Sequence, residues 1–336
     1  MRALVVGGTG FIGLNVVDEL LAQGAQVRVS RRKQSVTALV RRRPVELVEA
    51  SLEEPAKLRA AMDGCDVVFF TGGYYPRYSL DLAASLEEGV RGVRNVCEAA
   101  LAAKVPRLVY TSTIATLDTV PDRPAHDDDV PPRMPEGSVY RAVKWAMERE
   151  VERAVGRGLD AVTLLPGGCI GPGDLRVGTA SVIVGVVRGL MTWWVDGTVD
   201  LVDVTDAARA HVAAAGPTRH RRYALAGSAV RVGTLLRTVA RRYGGSVPEL
   251  LLSADEARER ATAEERAAAP RKERVTIPRE LVDMATTGQV VSNARAAEDL
   301  GFAPRPLEES LDRAHAWLSR FGFVPRRAME EKGLDA

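Results

Sequence analysis

Tyr140 and Lys144 stand four residues apart in a stretch with helical periodicity, residues 139–155. Four residues are about one helical turn, so both side chains project from one face. A phenol ordinarily releases its proton at a pH of about 10, and a neighbouring ammonium stabilises the phenolate, so the pair can exchange a proton nearer neutrality. Upstream, Leu108-Val-Tyr-Thr-Ser-Thr113 is a β-type run that ends in three consecutive hydroxyl residues. A hydroxyl at Thr113, or at Ser112 one residue earlier, is suited to hold a substrate oxygen beside Tyr140.

These groups need a scaffold, and the first thirteen residues supply its signature. An apolar run, residues 3–6, feeds a turn in which Gly7, Gly10 and Gly13 fall three apart, and an amphipathic segment, Phe11–Ala22, follows. Strand, tight turn and helix in this order suit a dinucleotide. Gly7 permits the turn, Gly10 lets a pyrophosphate approach the backbone, and Gly13 lets helix and strand pack closely. Thr9, Phe11 and Ile12 complete the turn, whose helix N-terminus faces the phosphates. Further apolar runs at 27–30, 45–48, 66–70, 108–111 and 161–165 alternate with helical patterns at 55–62, 82–103 and 139–155. Continuous apolar strands alternating with helices predict an α/β fold, a doubly wound parallel sheet of Rossmann type with its ligand site at the strand carboxyl ends. After Pro166 the pattern changes to Gly/Pro-punctuated loops and helical segments at 254–269 and 307–321. Residues 1–166 are therefore expected to bind the dinucleotide. Residues 167–330 should form a smaller, mostly helical C-terminal substrate lobe, interleaved with the sheet.

Taken together, these motifs resemble the extended short-chain dehydrogenase/reductase family, within the NAD(P)-dependent epimerase/dehydratase superfamily. The subgroup with dihydroflavonol reductases, 3β-hydroxysteroid dehydrogenase-like proteins and hopanoid-associated sugar epimerase-like proteins is the most similar. The glycine turn from Gly7 to Gly13, the strand end Thr111-Ser-Thr113, Tyr140 to Lys144, Leu165-Pro-Gly-Gly-Cys-Ile-Gly-Pro-Gly173 and the segment 202–211 carry the likeness. The resemblance implies that Tyr140 is the general acid/base, Lys144 its ribose-binding partner and Thr113 the substrate-oxygen anchor, with Ser112 as the fallback. It also implies cofactor contacts from Ser51 and Leu52, from Thr71 and Gly72, and from Pro166 and Gly167. Gly89 stands where the family often has a relay Asn, and Thr71-Gly72-Gly73 replaces a small apolar pair. Tyr74, Trp193 and Trp194 are expected to line an apolar substrate site, whose shape depends on 74–79, 114–137 and 168–200.

The second strand ends Ser30-Arg31-Arg32-Lys33, without the acidic residue that would grip a free adenosine ribose. Arg31 and Arg32 suit a 2′-phosphate, which favours NADP(H) over NAD(H). Arg41-Arg42-Arg43 reads as a solvated run. Ile114-Ala115 stands where sugar dehydratases carry an Asp-Glu pair. The expected function is thus NADPH-dependent reduction of a ketone, or oxidation of the matching secondary alcohol, on an apolar or aromatic small molecule. A nucleotide-sugar epimerase with retained NAD is the alternative, and a non-catalytic cofactor-binding regulator is third.

At 336 residues, 46% hydrophobic and 27% charged, the composition is that of a globular chain with ample core material. A net charge of +2 gives no pull toward nucleic acid. No apolar run approaches the roughly 20 residues of a membrane span. Cys65, Cys97 and Cys169, without metal spacing, read as reduced buried thiols of a cytoplasmic protein, and the four histidines are scattered. No metal site is expected. A homodimer through residues 82–103 and 139–155, with Val90, Val93 and Val96 on the shared face, is the expected assembly.

Overall fold

The computed structural model describes residues 1–75, 78 and 80–325. Three residues of the expected pocket segment 74–79 (76, 77 and 79) and the end of the second segment (326–330) lie outside the described residues.

The first half runs β1 (Arg2–Val6), α1 (Phe11–Ala22), β2 (Gln26–Arg31), β3 (Glu46–Glu49), α2 (Pro55–Met62), β4 (Val67–Phe70), α3 (Leu82–Ala102), β5 (Leu108–Thr111), α4 (Val139–Gly156) and β6 (Ala161–Pro166). The second half runs β7 (Gly168–Ile170), α5 (Ser181–Val187), β8 (Trp193–Val195), β9 (Thr198–Asp203), α6 (Val204–Ala213), β10 (Arg222–Leu225), β11 (Ser228–Arg231), α7 (Val232–Tyr243), β12 (Leu250–Leu252), α8 (Ala254–Ala268), α9 (Arg279–Thr287), α10 (Ala294–Leu300) and α11 (Leu307–Arg320).

Seven strands form one sheet in the order β10-β6-β5-β4-β1-β2-β3, and every pairing in it is parallel. The order reverses between β1 and β4, so the ligand crevice opens beyond the carboxyl ends of those two strands. Successive strand residues point to opposite faces. In β1, Ala3 and Val5 pack with Val16, Val17 and Leu20 of α1 and with α6. Leu4 and Val6 pack with Val93 and Val96 of α3 and with Val143 and Met147 of α4. Val93 and Val96 are thus core residues, and of the three valines expected on a dimer face only Val90 is partly exposed.

The second half is mostly helical, as expected, but it also carries strands. It adds a three-stranded sheet, β11-β9-β7, and a two-stranded one, β12-β8. These strands are three to six residues long, too short for alternation to reveal. Its β10 returns to the main sheet and pairs with β6, so chain order and sheet membership part company after residue 166.

Candidate active site

Two backbones meet at the glycine turn. Gly7 has φ +96, and a Cβ there would lie 2.4 Å from Gly72 Cα, so Gly7 and Gly72 are small because the first and fourth strand ends touch. A Cβ on Gly13 would lie 2.3 Å from the Gly7 carbonyl oxygen and 2.5 Å from Thr71 Oγ1, which itself donates to the Val6 carbonyl at 3.2 Å. Gly10 is different: its Cβ would meet only the Gly7 oxygen, at 3.2 Å. Packing within the protein therefore explains Gly7 and Gly13 and leaves Gly10 facing outward. Gly10 begins α1, whose first turn has no side-chain cap and no acidic residue. Unfilled N–H groups behind a bare glycine fit a dinucleotide pyrophosphate.

Around that turn, Arg31 lies 3.6 Å from Glu49 in a loose ion pair, and Arg32 is exposed. Arg43, expected to be solvated, is half-buried and clamps Asp18 of α1 with two nitrogens. The Leu52 carbonyl accepts from Asn95 Nδ2 at 2.7 Å, and the Ser51 N–H donates to Glu54 at 3.2 Å. Past Pro166, a Cβ on Gly167 would strike Asp200 Oδ1 at 2.2 Å, so Gly167 is tightly packed against β9. Burial pushes the Asp200 carboxyl up to about 6.

Three consecutive hydroxyls at the end of β5 go to three different partners. Thr111 Oγ1 meets His211 Nε2 at 2.8 Å. His211 Nδ1 lies 2.7 Å from the Ala207 carbonyl, which can only accept, so Nδ1 carries the proton and Nε2 accepts from Thr111. Ser112 donates to Glu148 Oε1, together with Thr116 at 2.7 Å, while Arg222 pairs with the other oxygen. Ser112 is thereby committed behind the strand. Thr113 turns the other way, within hydrogen-bonding reach of the Tyr140 phenol, and its Oγ1 also accepts the Ala115 N–H at 3.2 Å. The structure brings Thr113 and not Ser112 to Tyr140.

Ser138 caps the start of α4, which carries Tyr140 and Lys144. Both are buried, at 7% and 6% exposure, and Lys144 Nζ lies 5.8 Å from the Tyr140 ring centre. Burial dominates their protonation. The phenol is pushed above its ordinary value, where the sequence leads one to expect a lowered one, and the ammonium is pushed down to about 8. Gly73 packs closely on α4, since a Cβ there would lie 2.9 Å from Met147 Cε, with Lys144 Nζ next at 3.4 Å. Gly89 has a similar reason. Its Cβ would meet Val143 Cγ1 at 2.8 Å, so the close crossing of α3 and α4 excludes an Asn there.

The expected aromatic lining moves. Tyr74 turns to α3, where its hydroxyl donates to Ser85 at 3.2 Å. Its neighbour Tyr75 sits edge-on to Tyr140, with ring centres 5.4 Å apart. Trp193 is 2% exposed, its indole N–H donates to Glu264 at 3.0 Å, and it packs with Ala257, Ala261 and Val282. Trp194, partly buried, lies against Gly233, 2.9 Å from its would-be Cβ, and packs on the core of the second lobe. Both tryptophans are lobe-packing residues. Two residues that sequence reasoning missed stand in the site: Tyr75, and Glu280 at the start of α9, which faces Tyr75 and Lys144. Glu280 is 140 residues from Tyr140 in the chain, and no local spacing announces it.

The sequence profile of the NAD dependent epimerase/dehydratase family matches residues 3–226. The chain belongs to that family. It is an NAD(P)-dependent oxidoreductase of the extended short-chain dehydrogenase/reductase superfamily. A Synechocystis protein provisionally named dihydroflavonol 4-reductase is 29% identical over 328 residues, 95% of each chain. Cinnamoyl-CoA reductase 1 of Arabidopsis thaliana is 30% identical over 257 residues, 71% of this chain and 74% of its own. A solved nucleoside-diphosphate-sugar epimerase of Pseudomonas aeruginosa superposes with a TM-score of 0.79 at 27% identity, covering 96% of this chain and 99% of its own. Among the described residues of this family member, no helix is long and apolar enough to cross a membrane and no cluster is suited to a metal ion.

Proposed function

We propose that the protein is an NADPH-dependent ketoreductase for an apolar or aromatic small molecule, also able to oxidise the corresponding secondary alcohol. The observation that carries this reading is the Thr113–Tyr140 pair: two buried hydroxyl groups beside one another past the end of β5, the phenol held neutral by burial. A neutral phenol is the form that can give a proton to a carbonyl oxygen as that oxygen gains charge. Thr113 donates a second hydrogen bond to the same oxygen and fixes it. Lys144, one turn along α4, keeps positive charge beside the phenolate left behind. Gly10 and the α1 N-terminus would hold the pyrophosphate of the dinucleotide, and Arg31 and Arg32 its 2′-phosphate. When bound, the dinucleotide supplies hydride to the substrate carbon or takes it away. Tyr75, 54% exposed beside Tyr140, offers an aromatic face to substrate.

Reductase names on relatives that span most of the chain support this reading. Ile114 and Ala115 are buried packing residues, so no carboxyl pair stands there for dehydration. The epimerase name of the Pseudomonas aeruginosa neighbour supports the alternative, a nucleotide-sugar epimerase retaining NAD. We also propose a homodimer through the outer groove between α3 and α4, where Val90, Trp145 and Ala146 lie among charged side chains.

NADPH oxidation measured with a panel of aromatic and alkyl ketones tests the function. Tyr140→Phe should lower turnover by roughly 100-fold or more while leaving cofactor affinity nearly intact, because only the proton transfer is removed. Near-normal turnover in that variant would exclude Tyr140 as the acid. Conversion of a nucleotide sugar to its epimer without net cofactor consumption would establish the alternative.

A further inference from the structure

Directly after Thr113 the chain makes one 3-10 turn, Ile114–Thr116. The groups at its start are used within the turn. The Thr113 carbonyl accepts the Thr116 N–H at 3.2 Å and the Thr116 hydroxyl at 2.9 Å, and Thr113 Oγ1 accepts the Ala115 N–H at 3.2 Å. One turn is too short to bond its last carbonyls internally. Ala115 and Leu117 are nonetheless buried, at 5% and 0% exposure, so their carbonyls need donors from elsewhere in the protein.

Arg141 supplies them. It follows Tyr140 on α4, and its Nε donates to the Ala115 carbonyl at 2.9 Å while its Nη2 donates to the Leu117 carbonyl at 3.1 Å. Its one ion-pair contact among the described residues, Asp118, stands at a loose 4.0 Å, so the guanidinium serves backbone first. The two nitrogens form one edge of a planar fork and fix both carbonyls at once. Consecutive residues of one helix therefore hold the same turn: Tyr140 beside the Thr113 hydroxyl, Arg141 on the backbone two and four residues further on. A second donor reaches Leu117 from the other lobe. Gln289, buried just past the end of α9, gives a side-chain amide N–H to the same carbonyl. The segment behind it is pinned to Ala125, whose N–H donates to the Val290 carbonyl at 2.8 Å and whose carbonyl accepts the Ser292 N–H at 2.9 Å.

We propose that Arg141 and Gln289 are positioning residues for Thr113: together they lock the turn that aims its hydroxyl at the substrate oxygen, and Gln289 makes that aim depend on the docked second lobe. The proposal deepens the ketoreductase reading and rests on it for the role of Thr113. Ala115 is held through both of its backbone groups, its N–H on Thr113 Oγ1 and its carbonyl on Arg141 Nε. By accepting that N–H, Thr113 keeps its own hydroxyl proton for donation. Loosening the fork lets Ala115 shift, and the hydroxyl that it orients shifts with it. A misplacement of about 1 Å at a reacting group costs on the order of 100-fold in rate.

Arg141→Met keeps the apolar stem and removes the fork, and Gln289→Met removes the second donor at similar size. With a ketone and NADPH, turnover per NADPH-binding site should fall roughly 10- to 100-fold in the first and about threefold in the second, with NADPH affinity unchanged. In a Thr113→Ala background, Arg141→Met should slow turnover by less than about twofold more, because the hydroxyl it aims is already gone. Losses that multiply in the double variant, or wild-type turnover in Arg141→Met, overturn the proposal. If Arg141→Met does not fold, Arg141→Lys, whose single nitrogen cannot hold both carbonyls, and Gln289→Met carry the same cycle with Thr113→Ala. Without substrate, amide hydrogen exchange at Ala115 and Leu117 should quicken about tenfold or more in Gln289→Met and in the folded Arg141 variant. Unchanged protection there overturns the lock. If the wild type reduces none of the ketones, the reductase reading falls, and the exchange rates alone decide for or against the lock.

Discussion

The two faces of the chain just after β5 solve opposite problems. Behind it, Glu148 receives Ser112, Thr116 and Arg222, so the buried carboxylate is held by three donors. In front, Thr113, Tyr140, Lys144 and Glu280 are as deeply buried, yet the cluster contains no guanidinium and its protonation equilibria are displaced. Adjacent residues with the same functional group thus serve a closed network and an open one. Three donors on one carboxylate fix its position, whereas a cluster without a guanidinium leaves its titratable groups displaced from their ordinary values.

Glu148→Ala should break this contrast most severely. It strands the Arg222 guanidinium and the Ser112 hydroxyl, and should cost about 3–5 kcal/mol of unfolding free energy in a denaturant titration. Next comes His211, buried neutral with its pKa pushed down to about 4. Between that value and the ordinary one near 6.5, the unfolded chain binds a proton that the folded chain refuses. Stability is therefore complete above about 6.5 and falls as pH drops toward 4, by about 3 kcal/mol in all. Unfolding curves at several pH values should show this loss in the wild type and a shallower slope in His211→Gln. The paired hydroxyls sharpen the comparison further. Ser112→Ala should lower stability by about 1.5–3 kcal/mol and spare turnover, since its bond goes to a charged acceptor. Thr113→Ala should do the reverse, cutting turnover while the melting temperature holds, and Thr113→Ser should be tolerated. The smallest effect belongs to Arg31 and Arg32. Arg31 already leans on Glu49, so changing both to Ala should erase an NADP-over-NAD preference of about tenfold, read by cofactor titration.

What the sequence made legible was whatever is local. Strands and helices of the first half fall within a residue or two of their periodic patterns, and the Tyr140–Lys144 turn is a helix face readable from spacing alone. The direction of Ser112 against Thr113 was not readable, because it depends on Glu148 arriving from α4. Tyr74 and Tyr75 look interchangeable as letters, and only the packing of α3 separates them. Trp193 and Trp194 suggested a greasy pocket, but large aromatics are also what a small lobe needs for a core. Glu280 was invisible for the same reason that it is informative: its neighbours are tertiary.

The strand β10 has a consequence for how the chain is made. Synthesis completes β6 some sixty residues before β10 emerges to cover its edge. During that interval the nascent sheet ends in a bare row of N–H and C=O groups on an apolar strand, a template for pairing with another chain. The segments that intervene, including α6 against α1, have to fold while that edge stays open. A fragment stopped at residue 166 would carry the open edge permanently and would aggregate rather than report on cofactor binding.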